Sequence, residues 1–519
     1  MSAEVKLTEQ ELDEAVGLIR RTKYSYYFPH PFEFDALLHV WNRARPALAK
    51  ANLLSYEPHA PLELTAPKNK YVVRPIQLMD PVDLIYLTGL TLRLAPKIER
   101  GRQGLAQSIV HSYRFRRNAG GKIHLDSDYE AWVGEVRKRT SSHPMAAKAD
   151  VVDFFPRVYL HRLENALTAL TGQVSEVKAI MRLLDACSNG TSYGIPVGPV
   201  ACSYLAEALL AEVDDYLVSQ GVSFARYIDD YALFGQNEAD CLRALFVLGQ
   251  RLHSTQGLSL NMAKTRVMTT EAFALEMTPP EARGSPLKGR IFLEVLHGNP
   301  YTEIDPEKLT DEERGLLDEL DTQKILDVAL EGDIVDLRAV KFVLTVLSGL
   351  RRAEQIDLVI KNLDRLAAAS EVVARFLESV DLADPRERME LGRKVLEFVR
   401  CGRFVPDFQA VWLLEPFVRS PKWGNLPELR TLAREHKNRY VRRQAALAVG
   451  SQGDRSALLD LRSGLNDMKD WEWRSTLFAC RNLPEDEAKA FYQSVSAKGE
   501  WTLSNVVTRA TVEYARSRP

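Results

Sequence analysis

The sequence predicts an α+β region at residues 71–300, followed by an all-α region over residues 301–519. Three observations carry this reading. Short β-branched runs are interleaved with helical segments in the first region. From about Leu309 strand-like runs vanish, and segments of helical length are punctuated by Gly, Pro, Asp and Asn. An Asp-Asp pair stands between two strand-like runs at Asp229 and Asp230. At 519 residues the chain exceeds one core, and roughly two to four domains are expected.

Residues 1–70 begin with helical spacing, Leu12, Val16 and Ile19, which Pro29, Pro31, Pro61 and Pro67 then break. They form an N-terminal helical and extended segment ahead of the α+β region. In the last region Val441, Ala445 and Ala448 recur at i, i+4, i+7, with Gly450 and Gly453 as a stop. Asp454 caps the next helix, whose apolar stripe is Leu458, Leu461 and Leu465. A stack of such helices resembles HEAT-type repeats, with a compact helical bundle as the alternative. No catalytic cluster of side chains occurs there.

Composition narrows the class. The chain is 45% hydrophobic and 27% charged, and no apolar run approaches the ~20 residues that span a bilayer. The polar, acidic start is no secretory signal. Five scattered cysteines show no CxxC pair and no zinc spacing. A cytoplasmic protein with no membrane partner is expected. The net charge of −2 is low for a protein that grips long nucleic acid. A local basic stretch does exist: Arg93, Lys97, Arg100, Arg102, Arg114, Arg116 and Arg117 face Glu99 alone in the sequence. A solvated surface is the alternative reading of that stretch.

The strongest chemical signal is Arg226-Tyr227-Ile228-Asp229-Asp230-Tyr231-Ala232-Leu233-Phe234. Strand-like runs on either side place the two aspartates at a tight hairpin turn. Adjacent carboxylates repel, and a divalent metal removes that conflict. Chance gives Tyr-x-Asp-Asp in roughly one chain in twenty of this length, so the pair needs company. Ala147-Lys148-Ala149-Asp150-Val151-Val152-Asp153-Phe154-Phe155-Pro156 supplies it, reading as a buried strand that ends in an acid. Two-metal nucleotidyl transfer needs such an acid beside the hairpin, with ions about 4 Å apart. Hard oxygen ligands and phosphate suit Mg²⁺, with Mn²⁺ as a substitute. Asp153 competes with Asp150, but alternation would put them on opposite faces, so only one reaches the metals. Asp214-Asp215 falls within a helical pattern and is expected to need no function.

Three further stretches fit a nucleotide site. Tyr193-Gly194-Ile195-Pro196-Val197-Gly198-Pro199 allows close backbone approach to a substrate or template, although taken alone it reads as a plain helix-entry turn. In Gly257-Leu258-Ser259-Leu260-Asn261-Met262-Ala263-Lys264-Thr265, Lys264 is a candidate to protonate departing pyrophosphate, with a solvent-facing lysine as the alternative. In Val73-Arg74-Pro75-Ile76, Arg74 is placed to clamp a triphosphate.

In this order these stretches resemble the palm and fingers of reverse transcriptases over about residues 70–270. The resemblance implies that Asp150, Asp229 and Asp230 are the catalytic triad, with the Val151 carbonyl also at a metal. It implies that Arg74 meets the triphosphate, that Lys264 is the general acid, and that Phe155 lies beneath the incoming sugar. A bulky aromatic there clashes with a ribose 2′-hydroxyl, so DNA is the expected product. Val197 stands where templated relatives carry a Gln that touches the incoming nucleotide, and no clear thumb follows Lys264. With Ser112-Tyr113-Arg114-Phe115 and the helical C-terminal region, the chain resembles bacterial abortive-infection polymerases, the prophage-carried type of phage-defence reverse transcriptase. That resemblance implies untemplated synthesis from dNTPs, DNA left covalently attached to a protein hydroxyl, and a homo-oligomer, trimer or hexamer. Tyr24, Tyr26 and Tyr27 beside Phe28-Pro29-His30-Pro31 are the priming candidates, with Tyr492, Tyr514 or a serine as alternatives. The rival readings are a templated, retron-like enzyme and an inactive palm that serves as a scaffold.

Overall fold

Alternation builds the principal sheet. β1 (Leu62–Pro67) pairs with β2 (Val73–Leu78), and β3 (Arg114–Arg117) with β4 (Ile123–Asp126). β5 (Met145–Asp150), β6 (Ser223–Tyr227), β7 (Asp230–Gly235) and β8 (Arg266–Thr269) form a four-stranded sheet of order β6-β7-β5-β8. Its pairings are antiparallel. One face presents Ala146, Ala225, Ala232 and Phe234 to Trp132, Val136 and Phe273 of the helices Tyr129–Thr140 and Thr270–Met277. The helix Glu238–Arg251 packs on β5 and β7. β5 is poor in β-branched residues, but its alanines leave room for cover on both faces. Tertiary context thus overrides its weak strand propensity.

The computed structural model describes residues 4–22, 24, 27–104, 107–277, 286–291, 295, 304–305, 307–382, 384–495 and 501–517. The chain divides into two compact units. The first comprises residues 1–26, 45–63 and 76–278, and the second 27–44, 64–75 and 279–519. The predicted thumbless stretch 279–298 lies largely outside the described residues.

Within the second unit the region after residue 310 is helix-rich, as its sequence predicts. The helices Leu337–Leu350, Ser370–Ser379, Asp407–Arg419, Arg439–Gln452, Asp470–Ala479 and Val506–Ser517 pack each on the next. Intervening helices, such as Leu426–Glu435 and Arg455–Ser463, pack against one another and against this row. Asp454 caps its helix by accepting from the Ala457 N–H at 2.8 Å, as predicted. Residues 27–44 belong here too. The helix Phe32–His39 packs on Val506–Ser517, and the Phe32 ring stacks on Phe478 at 4.3 Å. Glu33 and Arg443 form a fully buried ion pair at 2.6 Å.

In the first unit the basic stretch is no unopposed patch. Arg93 pairs with Glu11 at 2.7 Å, Arg102 with Glu207 at 2.9 Å, Arg114 with Glu99 at 2.5 Å and Arg117 with Glu14 at 2.9 Å. Glu11, Glu14 and Glu207, distant in sequence, oppose part of it. Among the described residues no helix is long and apolar enough to cross a membrane.

Candidate active site

A two-residue turn, Ile228-Asp229, joins β6 to β7, and Tyr227 pairs with Asp230 across it. Asp150, the last residue of β5, is the direct cross-strand partner of Asp230. The Val151 N–H continues the ladder to the Asp229 carbonyl at 3.3 Å. Three backbone segments therefore converge on the predicted triad. The two-residue period that sends Ala146, Ala232 and Phe234 into the core carries Asp150 and Asp230 to the end of the same face. Ile228 sits at φ +58°, a left-handed conformation that a β-branched residue rarely adopts. Such strain costs about 1–3 kcal/mol and persists only where surroundings enforce it.

Burial and neighbouring charges shift two of the three carboxyls. Desolvation is the largest cause that raises the Asp229 carboxyl, to about 7, and the Asp230 and Asp150 charges push the same way. Asp230 is raised too, first by burial and then by Asp150, while Lys148 and Lys264 pull it down. Lys264 Nζ is 2.9 Å from Asp150 Oδ1, and Asn261 Nδ2 donates to Asp150 Oδ2 at 3.1 Å. Three carboxylates converging at one sheet end are a hard-oxygen donor set, which fits divalent cations such as Mg²⁺. A pH dependence follows. Asp229 is held above its unfolded value of about 3.9, so the native state binds the extra proton. The stability associated with that proton is present below pH ~4 and is lost as pH rises through ~7. In EDTA, the melting temperature of wild type relative to Asp229→Asn should fall between those limits, and Mg²⁺ should restore it. A difference that does not change with pH would remove the electrostatic reading.

Two of the other predicted stretches are held against each other. Phe155 is half-buried, and its carbonyl accepts from the Ile195 N–H at 3.1 Å. The Gly194 N–H donates to the Val158 carbonyl at 2.9 Å. At φ +96° Gly194 serves a conformation that a side chain would strain, and this holds the loop of buried Val197 against residues 155–158. Asp153 is not a strand residue on the opposite face: β5 ends at Asp150, and Asp153 turns left-handed at φ +45° to start the short helix Phe154–Arg157. Arg74 and Tyr27 belong to the second unit, where the guanidinium donates to the Tyr27 hydroxyl. Tyr24 is buried and donates to the Met79 carbonyl at 2.7 Å. Tyr26 lies outside the described residues.

Asp214 is not the idle acid its helical pattern suggests. It is buried and takes Arg226 through Nε at 2.9 Å and Nη2 at 2.5 Å. Glu207, i−7 on the same helix face, accepts Arg226 at 2.8 Å. That spacing beside an arginine in the hairpin is the signal that identifies the pair. Asp215, exposed and bonded to Gln103, is the better control. A separate group brings ligand atoms of His59, Asp80 and Asp83 within 4.8 Å of one another. Both acids serve the local framework: Asp80 caps the helix Pro81–Arg100 through Val82 N at 3.0 Å, and Asp83 accepts the Tyr56 hydroxyl at 2.6 Å.

Residues 103–291 match the family model described as reverse transcriptase (RNA-dependent DNA polymerase). The match contains every predicted site residue of the palm and leaves Arg74 outside it. The chain therefore carries a nucleotidyltransferase domain of the RNA-directed DNA polymerase type. No curated protein sequence is similar to it. Among solved structures it is similar to telomerase from Candida albicans in complex with a TWJ fragment of telomeric RNA, at 9% identity and a TM-score of 0.33. That similarity covers 71% of this chain and 65% of the telomerase chain.

Proposed function

We propose that the protein polymerises dNTPs by two-metal nucleotidyl transfer, and that it does so as a phage-defence enzyme of the abortive-infection type, protein-primed and without a template. The observation that carries the polymerase reading is the cross-strand pairing of Asp150 with Asp230, with Asp229 in the adjoining turn. Asp150, Asp229, Asp230 and the Val151 carbonyl would hold two Mg²⁺ ions, which when bound supply Lewis-acid activation of the attacking hydroxyl and of the triphosphate. The attacking oxygen forms a bond to the α-phosphorus as the bond to pyrophosphate breaks. Lys264, beside Asp150, gives its proton to that leaving group. Phe155 and Val197 flank the incoming sugar and base. The helical C-terminal region, HEAT-like in this reading, supports a homo-oligomer.

Protein priming rests on the low net charge, the chain's lack of a clear thumb sequence, and the tyrosine cluster. Tyr27 is the more accessible of the two described candidates, since Tyr24 is buried. The test is incubation with labelled dNTPs and Mg²⁺, with and without a primed RNA template, followed by mass spectrometry of the nuclease-trimmed protein. A nucleotide adduct on one hydroxyl, without need of template, is expected. Product released from denatured protein with a free 5′ end would replace self-priming with templated or externally primed synthesis.

A further inference from the structure

Beneath the hairpin lies a buried polar network that the chemistry above does not use. Its core is Arg226, whose side chain is fully buried. On β6, Arg226 occupies the alternate position to Ala225, and so points to the face away from Trp132. There its guanidinium meets Asp214 and Glu207 of the helix Val200–Ser219. Its Nη1 also donates to the Ile228 carbonyl at 2.8 Å. Ser112 completes the arrangement from the other side. The Ile228 N–H donates to Ser112 Oγ at 2.8 Å, and the Ser112 hydroxyl donates its own proton to Glu207 Oε1 at 2.5 Å. Arg102 ties the ring together by donating to Glu207 at 2.9 Å and to the Ser112 carbonyl at 3.0 Å. Residues 109–112 are in turn held alongside β6: Arg226 N–H donates to the Ile109 carbonyl at 2.7 Å, and His111 N–H to the Arg226 carbonyl at 3.3 Å.

Ile228 is thus gripped at both of its backbone polar groups, and it is the residue with the unfavourable left-handed φ that directly precedes Asp229. Two arginines face two acids, so the network closes without net charge and without a metal of its own. A buried cluster cross-linked by this many hydrogen bonds and ion pairs is a rigid support. Left alone, Ile228 would relax toward negative φ, and relaxation there would swing the peptide that carries the Asp229 carboxylate.

We infer that Ser112, Glu207 and Arg226 are positioning residues for catalysis: they lock Ile228 in the left-handed turn that presents Asp229 beside Asp150 and Asp230. This rests on the polymerase reading and extends it to a layer that touches neither nucleotide nor metal. Glycine adopts positive φ without a steric penalty, so the lock is needed only because position 228 holds isoleucine.

The experiment measures dNTP incorporation by the full chain with Mg²⁺, with and without a primed RNA template, in Ser112→Ala, Arg226→Lys, Ile228→Gly, the double variant Ser112→Ala/Ile228→Gly, and Asp215→Ala as a silent control. Loss of the hydroxyl should lower kcat about 10–100-fold and raise the Mg²⁺ concentration for half-maximal rate, as disturbed support of metal ligands does. KM for dNTP should move little. Adding Ile228→Gly to Ser112→Ala should recover a large part of kcat, which a merely stabilising serine would not allow. Arg226→Lys keeps the charge opposite Asp214 and Glu207 but shortens the reach to the Ile228 carbonyl, and it gives the same reading if Ser112→Ala does not fold. Wild-type kcat and Mg²⁺ dependence in folded Ser112→Ala or Arg226→Lys would overturn the inference, as would a double variant no more active than Ser112→Ala. Asp229→Ala in the same assay separates the two ideas: if it stays active, the polymerase reading itself fails; if it is dead while the support variants behave as wild type, only the positioning role fails.

Discussion

Asp229→Ala and Asp150→Ala should each reduce nucleotide incorporation by roughly a thousandfold or more, as removal of one member of a catalytic unit does. The reason is geometric. Asp150 and Asp230 face each other across β5 and β7, with Asp229 one residue away, so each carboxylate fills a position that no neighbouring side chain can take over. The fold should survive, because both changes remove a charge from a crowded site rather than a packed apolar group. Burial and like charge already raise Asp229, so its loss relieves repulsion in the metal-free protein. Unchanged circular dichroism with abolished incorporation is the expected pair of results. Asp215→Ala should leave both as they are. Incorporation by Asp229→Ala at a near wild-type rate would break the assignment.

The largest effect on stability is expected at Glu33. It is fully buried and is the carboxylate partner of Arg443, with bonds of 3.1 and 2.6 Å to Nε and Nη2. The guanidinium is ringed by Phe32, Tyr440 and Trp471, which offer no countercharge of their own. Glu33→Ala leaves that cation buried with only the Gln444 amide oxygen, at 3.1 Å, as a hydrogen-bond acceptor. Breaking such a pair costs about 3–5 kcal/mol. Replacing both partners, Glu33→Leu with Arg443→Met, should recover most of the loss, because no unpaired charge remains. Thermal melting of the four proteins reads the cycle. A loss below about 1 kcal/mol in Glu33→Ala would mean that water or another acid reaches Arg443.

The hairpin was legible because its whole meaning is local. Strand-like runs on both sides of Asp229-Asp230 force a tight turn, and a turn with two acids is poorly explained without a cation. Asp150 was legible for the same reason, since a short run ending in an acid places that acid at the end of a strand. The placing of Asp153 on the opposite strand face does not hold, because β5 ends at Asp150 and the backbone is left-handed at Asp153. Asp214 was misread for a different reason. The helix Val200–Ser219 is covered along almost its whole length, so no apolar stripe separates a solvated face from a buried one. The basic stretch from Arg93 to Arg117 likewise looked unopposed because Glu11, Glu14 and Glu207 come from other parts of the chain.

By itself, the sequence determined the strand-turn-strand carrying Asp229 and Asp230, the strand ending at Asp150, and the switch to helices after about residue 310. Each of these depends on the spacing of residues close together in the chain. Only the tertiary structure decided which charges are buried and paired: Arg226 with Glu207 and Asp214, and Glu33 with Arg443 across more than 400 positions. Only the tertiary structure likewise decided that residues 27–44 complete the second unit. The physical reason is that desolvation and ion pairing depend on distance in space. Neither leaves a periodic mark on the chain, whereas hydrogen-bonded secondary structure does.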